Sequence, residues 1–243
     1  MIVALLLGRK GSCGFPDKNL YIVNGRPLCF YPMKTALDAI QVNKVYLSTD
    51  DSRLIDIAKE NNVDIIERPS YLCTERAMAE DAYVHGCEEI SKRNGIRPEI
   101  VVLLFCNSVF CLPSTIDKGI DILKNDEEID SAITVSKYNM WSPLRARKIN
   151  EKGLLEPFIS FDKFDNLDKL SCDRDSQGDV WFADFGACIV RYRCIENIKN
   201  GLLPQKWMGR KIYPLKQEQG LDVDFEWQIP QVEYWINNNY MER

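Results

Sequence analysis

Two stretches hold residues whose types and spacing could do chemistry. Residues 8–20 read Gly-Arg-Lys-Gly-Ser-Cys-Gly-Phe-Pro-Asp-Lys-Asn-Leu and follow directly on the apolar run Met-Ile-Val-Ala-Leu-Leu-Leu. Gly11 and Gly14 let backbone N–H groups turn toward an anion, and Arg9, Lys10 and Lys18 supply charge-assisted contacts to it. The Gly-Lys-Ser/Thr ending of a Walker loop is missing, and no Gly-x-Gly-x-x-Gly occurs, so the stretch is neither of those nucleotide loops. A basic surface turn has the same composition and remains the alternative. The second stretch is Leu221-Asp222-Val223-Asp224-Phe225. Alternation along a strand puts Asp222 and Asp224 on one face, where two carboxylates can hold Mg²⁺ with phosphate oxygens completing its shell. The polar face of an edge strand is the alternative for this pair.

Other chemistry-bearing types form no such pattern. Asp162, Asp165, Asp168, Asp173 and Asp175 crowd one segment, which lacks the loop glycine and terminal glutamate of a calcium hand. The sole histidine, His85, falls in a helical stretch and suits a half-exposed structural role. Cysteine is present nine times, an odd number without paired metal-ligand spacing, and Cys29, Cys73, Cys106, Cys111, Cys188 and Cys194 lie in apolar contexts, which suits buried reduced thiols.

The elements that must position the two stretches can be read from apolar patterning. Residues 1–7 and the segments KVYLSTDD, VDIIERP and EIVVLLF predict strands, with helices over PLCFYPMKTALDA, SRLIDIAKENN and AMAEDAYVHGCEEISKR between them. Strands this apolar belong in a mostly parallel sheet with helices on both faces, a three-layer α/β fold. Ligands gather beyond the carboxyl ends of such strands, which puts the opening loop, Asp50 with Asp51, and residues 105–111 along one crevice. Further on, STIDKGIDILKNDEEIDSAITVS predicts a helix, a polar turn and a strand. Residues 138–178 are irregular, suiting a solvated excursion or subunit arm. VWFADFGACIVRY returns to the sheet, IENIKNGLL predicts a helix, LDVDF a strand after the polar KQEQG, and QIPQVEYWINNN the last helix.

The chain of 243 residues, 45% hydrophobic and 28% charged, suits a soluble globular protein with a substantial core. A net charge of −5 disfavours bulk nucleic-acid binding while permitting a local basic pocket for a small anion. The seven-residue opening run fits neither a signal peptide nor a membrane span, so a cytoplasmic protein without membrane association is expected.

The opening loop, together with Val23-Asn24-Gly25-Arg26-Pro27-Leu28, Leu47-Ser48-Thr49-Asp50-Asp51, Glu67-Arg68-Pro69, Val101-Val102-Leu103-Leu104 and Leu221-Asp222-Val223-Asp224, resembles the acylneuraminate cytidylyltransferases in order and in interval. The resemblance spans almost the whole chain and rests on the ordered set rather than on any one tetrapeptide. It implies a Rossmann-like nucleotidyltransferase fold in one domain over residues 1–243, with residues 138–180 an irregular excursion that contacts a second subunit of a homodimer. It further implies CTP and Mg²⁺, an acidic nonulosonic sugar as acceptor, and release of pyrophosphate. Carried over residue by residue, Arg9 and Lys18 handle the triphosphate, and Gly11, Ser12 and Gly14 line it. Asn19 meets the nucleoside, Arg68 reads the cytosine, Asp222 and Asp224 hold the metal, and Arg145 lies near the sugar.

The departures from the family pattern are local. Cys13 replaces a lysine of the phosphate loop, and Lys10 is the residue that could take over its charge. Residues 105–111 read Phe-Cys-Asn-Ser-Val-Phe-Cys in place of Gln-Pro-Thr-Ser-Pro-Leu-Arg, which leaves Phe105 and Ser108 as the acceptor-side candidates. Ala183-Asp184-Phe185-Gly186-Ala187 replaces an arginine followed by Asn-Gly-Ala, and Met78 and Ala79 replace a serine pair. These changes make the acceptor side less polar and spare the acid pair. Alongside transfer to a nonulosonate, two readings stay open: a nucleotidyltransferase for another sugar or nucleotide, and a member that binds nucleotide without catalysis, for which Cys13 is the argument. An oxidoreductase is disfavoured by the missing dinucleotide glycines.

Overall fold

The computed structural model describes residues 1–11, 14–74, 76–161 and 171–240. Ser12, Cys13, Asp162, Asp165 and Asp168 lie outside them, as does the side chain of Asp175.

The apolar opening run forms β1 (Ile2–Leu7), buried along its whole length. A turn at Lys18–Leu20 leads into the small hairpin β2 (Ile22–Val23) and β3 (Arg26–Pro27). There follow α1 (Phe30–Asp38), β4 (Lys44–Thr49), α2 (Ser52–Glu60), β5 (Asp64–Glu67), α3 (Ala79–Asn94), β6 (Ile100–Phe105), α4 (Pro113–Asn125) and β7 (Ser131–Lys137). The excursion carries a second hairpin, β8 (Arg147–Ile149) and β9 (Leu155–Pro157), before the chain returns in β10 (Trp181–Arg191). The chain continues through α5 (Tyr192–Glu196), β11 (Ile212–Gln217) and α6 (Ile229–Asn239).

The main sheet has the order β11-β7-β10-β6-β1-β4-β5, parallel at every pairing except the two made by β10. Alternation along β1 divides the core. Ile2, Ala4 and Leu6 join Met33, Leu54 and Ile120 of the helices on one face. Val3, Leu5 and Leu7 join Tyr83, Cys87 and Ile90 of α3 on the other. These are the three layers of the expected α/β fold. Parallel register brings Leu7 beside Ser48 and Phe105, and Thr49 beside Glu67, so these four strands end along one edge. A third apolar cluster beneath α6 includes Phe15, Phe110, Val223 and Trp235 at that edge. Among the described residues every cysteine is a free thiol, and no helix is long and apolar enough to cross a membrane.

Three elements differ from expectation. The helix expected over IENIKNGLL is α5 followed by the separate 3-10 turn Ile198–Asn200, because Asn197, Asn200 and Gly201 are poor helix formers and the Gly201 backbone passes tightly against Lys206. The strand β11 was hidden by its edge position: only Leu215 is buried, and Pro214 is tolerated on a sheet edge. LDVDF is not a strand but a segment held across the strand ends by bonds to Asn107.

The register of β10 against β7 shifts between Ala183 and Cys188, and Phe185 sits at φ 57° in this bulge. Such a backbone is uncommon for a bulky residue, and the next residue, Gly186, is closely packed. A Cβ on Gly186 would lie 2.4 Å from the Phe110 carbonyl oxygen. Gly186→Ala should therefore cost about 2–4 kcal/mol and lower the midpoint of thermal unfolding by roughly 5–15 °C, read by calorimetry.

Candidate active site

The shared strand edge opens into a cleft of about 190 Å³ lined by Leu7, Gly8, Arg9, Lys18, Asn19, Arg68, Met78, Phe105 and Asn107, among others. Gly8 begins it. Its amide donates to the Ser48 carbonyl at 3.2 Å, and a Cβ there would lie 2.7 Å from the Cys106 sulfur, so the chain turns out of the sheet where no side chain fits. Gly11 has φ 75° with open space around it, and the Lys10 amide donates to Asp50 at 2.8 Å. The far side of the loop is fixed by Arg53. Its guanidinium bonds Asp17 at 2.7 and 3.1 Å and also Asp51, the N-cap of α2, which it holds below the usual carboxylate range.

Two groups in the cleft lack ordinary partners. Arg68 is buried and donates only to the Ser48 side chain and carbonyl, at 3.2 and 2.8 Å, with no carboxylate partner among the described residues. Burial pulls its pKa below the ordinary value. The buried Oδ1 of Asn19 has no hydrogen-bond partner among them either. Both are where a bound polar molecule would satisfy them.

The acid pair closes the other side. Val223 is fully buried and is gripped twice by Asn107: the Val223 amide donates to the Asn107 carbonyl at 3.0 Å, and the Asn107 side-chain amide donates to the Val223 carbonyl at 3.2 Å. The amides of Asp224 and Phe225 both donate to the Gln228 side chain, at 2.7 and 2.8 Å. Asp224 is thereby presented to Lys18, whose ammonium lies 2.5 Å from its Oδ1. The Oδ1 of Asp222 is buried with no hydrogen-bond partner among the described residues. Burial and the Asp224 charge push Asp222 up to about 7, with Lys18 opposing and Asp184 adding to the rise. Asp184 itself is buried in the β10 bulge, where it accepts from Ser136 at 2.5 Å, Gln217 at 2.9 Å and the Gly186 amide at 3.1 Å.

The structure thus brings Arg9, Lys18, Asn19, Arg68 and Phe105 to one cleft and ties Asp224 to it through Lys18. Gly14 packs at the same seam, since a Cβ there would meet the Asp224 carbonyl oxygen at 2.9 Å. Lys10 is exposed beside the cleft rather than lining it. Ser108 is buried, its hydroxyl without a hydrogen-bond partner among the described residues, and does not line the cleft. Arg145 is on the excursion, bonded to the Cys172 carbonyl and facing a separate hollow with Arg147 and Phe161. His85 is half-buried on α3, outside the cleft lining. Sequence reasoning missed Gly8, Asn107 and Asp184 as site residues. The position of Asn107 just past the end of β6 was the available signal, whereas Asp184 depends on a bulge that periodicity does not show.

The pair fits a divalent cation by its chemistry. Both are hard carboxylates, one with an orphaned buried oxygen. Among the described residues no group of three or more histidine, cysteine or acidic side chains is arranged for a metal. Two protein carboxylates with substrate phosphates are what Mg²⁺ ordinarily accepts.

A family model described as cytidylyltransferase matches residues 3–150. Among curated proteins, the N-acylneuraminate cytidylyltransferase of Oncorhynchus mykiss is 23% identical over 94% of this chain and 49% of its own length. That of Escherichia coli is 25% identical over 92% of this chain and 49% of its own. A Helicobacter pylori protein named pseudaminic acid cytidylyltransferase and UDP-2,4-diacetamido-2,4,6-trideoxy-beta-L-altropyranose hydrolase is 24% identical over 64% of this chain and 29% of its own. The chain spans about half the length, or less, of these relatives. Among solved structures, a CMP:2-keto-3-deoxy-manno-octonic acid synthetase complexed with CTP superposes with a TM-score of 0.69 at 14% identity, covering 98% of each chain. The 4-diphosphocytidyl-2C-methyl-D-erythritol synthase of Anaerococcus prevotii superposes at 0.63 with 13% identity, covering 97% of this chain and 96% of that one. These two likenesses establish the Rossmann-like nucleotidyltransferase fold.

The acid pair generates a pH signature. The folded Asp222 carboxyl titrates near 7 against an ordinary value of 3.8, so the folded state holds an extra proton between them and loses stability as pH rises through that window. Asp222→Asn cannot titrate. The stability of the variant relative to wild type should therefore climb from about pH 4 to about pH 7 and level off above, as read by thermal unfolding of the metal-free, nucleotide-free proteins at unit pH steps. A difference already flat above pH 5 would show an ordinary carboxyl.

Proposed function

The chain belongs to the cytidylyltransferase family, as a divergent member of its acylneuraminate and CMP-sugar group, and from this we propose that it transfers CMP from CTP to a sialic-acid-like acidic sugar with release of pyrophosphate. The observation that carries the reading is the pairing of Arg68 and Asn19 in one cleft. A buried guanidinium without a carboxylate and a buried amide oxygen without a donor complement the acceptor edge and the exocyclic amino group of cytosine. Uracil presents a carbonyl where cytosine presents that amino group, so the unpartnered oxygen favours CTP over UTP. At about 190 Å³ the cleft is below the roughly 300–1,000 Å³ of pockets that enclose a whole ligand, so it suits the nucleoside alone. The triphosphate then lies along the basic loop toward Asp224.

In this reading the acceptor hydroxyl oxygen bonds to the α-phosphorus, its proton passing to solvent, as the bond to the bridging oxygen breaks and pyrophosphate leaves. Arg9 and Lys18 neutralise the charge that develops on the leaving group, the exposed Lys10 and the backbone of Gly11 and Gly14 cradle its far end, and Phe105, backed edge-on by Phe185 at 5.8 Å, presents an apolar wall on the acceptor side. Asp222 and Asp224 would hold Mg²⁺, which supplies Lewis-acid neutralisation of the phosphate oxygens. Four of the five named relatives and neighbours carry a sugar acid in their names, which supports an acidic acceptor here. The excursion exposes Met140, Trp141, Ile149, Leu154, Leu155 and Phe158, an apolar surface suited to a second copy, and Arg145 would reach a sugar only across such a contact.

CTP with Mg²⁺ should raise the thermal unfolding midpoint more than ATP, GTP or UTP at equal concentration, and a larger shift from another triphosphate would remove the cytidylyl assignment. Pyrophosphate release from CTP, screened over acidic sugars, identifies the acceptor. With that acceptor, Asp224→Asn should cut turnover at least tenfold with the fold intact, and Lys10→Ala should cut it severalfold, partly restored by adding Cys13→Lys. An inert wild type awakened by Cys13→Lys alone would instead mark a member that binds nucleotide without catalysis.

A further inference from the structure

The backbone around segment 221–224 is held at three points, and only one belongs to the excursion. Asn107 grips its middle, and Gln228 its end. Its start is held by Tyr138, the first residue beyond β7. The Tyr138 hydroxyl donates to the Gly220 carbonyl at 2.9 Å, with the Gly220 amide 3.5 Å from the same oxygen. Gly220 is buried against Asp184, where a Cβ would lie 2.5 Å from the carboxyl carbon, so the backbone is confined between that carboxylate and the tyrosine.

The root of the excursion is itself tightly closed. The Tyr138 amide donates to the Val180 carbonyl and the Val180 amide to the Asn139 side chain, each at 2.9 Å, and Lys137 pairs with Asp179 at 2.5 Å. The Tyr138 ring packs beside Trp141 and Phe182, with centroids 6.1 and 6.3 Å away. Trp141 is 64% exposed, so whatever covers it bears on the ring whose hydroxyl holds Gly220.

We propose that Tyr138 is a positioning residue for the acid pair, transmitting the state of the excursion to Asp222 and Asp224 through its bond to Gly220. The inference rests on the reading of those two acids as the cation-holding pair of a cytidylyl transfer. Two links carry it: a closed root that moves as one piece with Tyr138, and a confined glycine two residues before Asp222. A side-chain hydroxyl is the only link from the excursion to this segment among the described hydrogen bonds, and loss of that hydroxyl alone frees the segment's start.

The test compares wild type with Tyr138→Phe, which keeps the ring and removes the hydroxyl. Hydrogen exchange across residues 218–225 should quicken at least fivefold while β1 and β6 keep their protection. The Mn²⁺ concentration that half-saturates the protein in the presence of CTP should rise at least fivefold, with CTP affinity in the absence of divalent metal unchanged. Trp141→Ala, which leaves the hydroxyl in place, should shift both readouts in the same direction by a smaller factor, and it decides the question if Tyr138→Phe fails to fold. Unchanged exchange and Mn²⁺ affinity in the variants would overturn the proposal, as would equal loosening of the whole sheet. If wild type with CTP takes up no Mn²⁺ while the exchange pattern changes as stated, the metal reading of the pair falls and the positioning role of Tyr138 stands.

Discussion

Two carboxylates of like charge are kept side by side, one of them with an oxygen buried and unpartnered, and this arrangement is unfavourable unless something forces it. The force comes from Val223. Its side chain is sealed in the apolar cluster under α6, and its backbone is clasped in both directions by Asn107 at the end of β6. The flanking acids are fixed beside it, where Asp222 meets the charges of Asp224, Lys18 and Asp184 and Asp224 pairs with Lys18. Hydrophobic burial of one valine is thus converted into electrostatic tension at its neighbours, which a bound cation would relieve. Sites arranged for function commonly store such local cost.

The basic loop is organised on the same logic. Arg53 spends its guanidinium on Asp17 and Asp51 and so anchors the loop, while Arg9 and Arg68 have no carboxylate ion pair among the described residues. Lys18 is shared, since it pairs with Asp224 and lies along the same cleft wall as Arg9. Positive charge is therefore tied to carboxylates within the anchoring layer and left available where a polyanion would meet it.

Most of the sheet was legible in the sequence because its inner strands are apolar without interruption, and the helices between them repeat at helical spacing. The loop was legible because glycine and basic residues coincide at the end of β1. What stayed hidden depends on contacts between distant segments. β11 shows no usable alternation because an edge strand buries so little, and LDVDF alternates in the manner of a strand although it pairs with none and is held by Asn107 instead. Asn107 looks like an ordinary turn residue until Val223 is seen across from it, and Asp184 looks like a strand polar residue until the bulge at Phe185 turns it inward. Arg145 was placed by resemblance near a sugar, and in a single chain the excursion keeps it away from the cleft.

The reversed direction of β10 has a consequence for how this architecture can change over time. Lys137 and Trp181 face each other as a register pair, so the chain leaves and re-enters the sheet at neighbouring points of the same edge. Doubling the length of a loop closed in this way adds only about 0.6 kcal/mol of closure entropy. Outside the root formed by Tyr138, Asn139, Asp179 and Val180, the excursion is in this sense a replaceable cassette: its outer hairpin can be exchanged for another surface while the main sheet persists, so long as the tyrosine bond to Gly220 is kept.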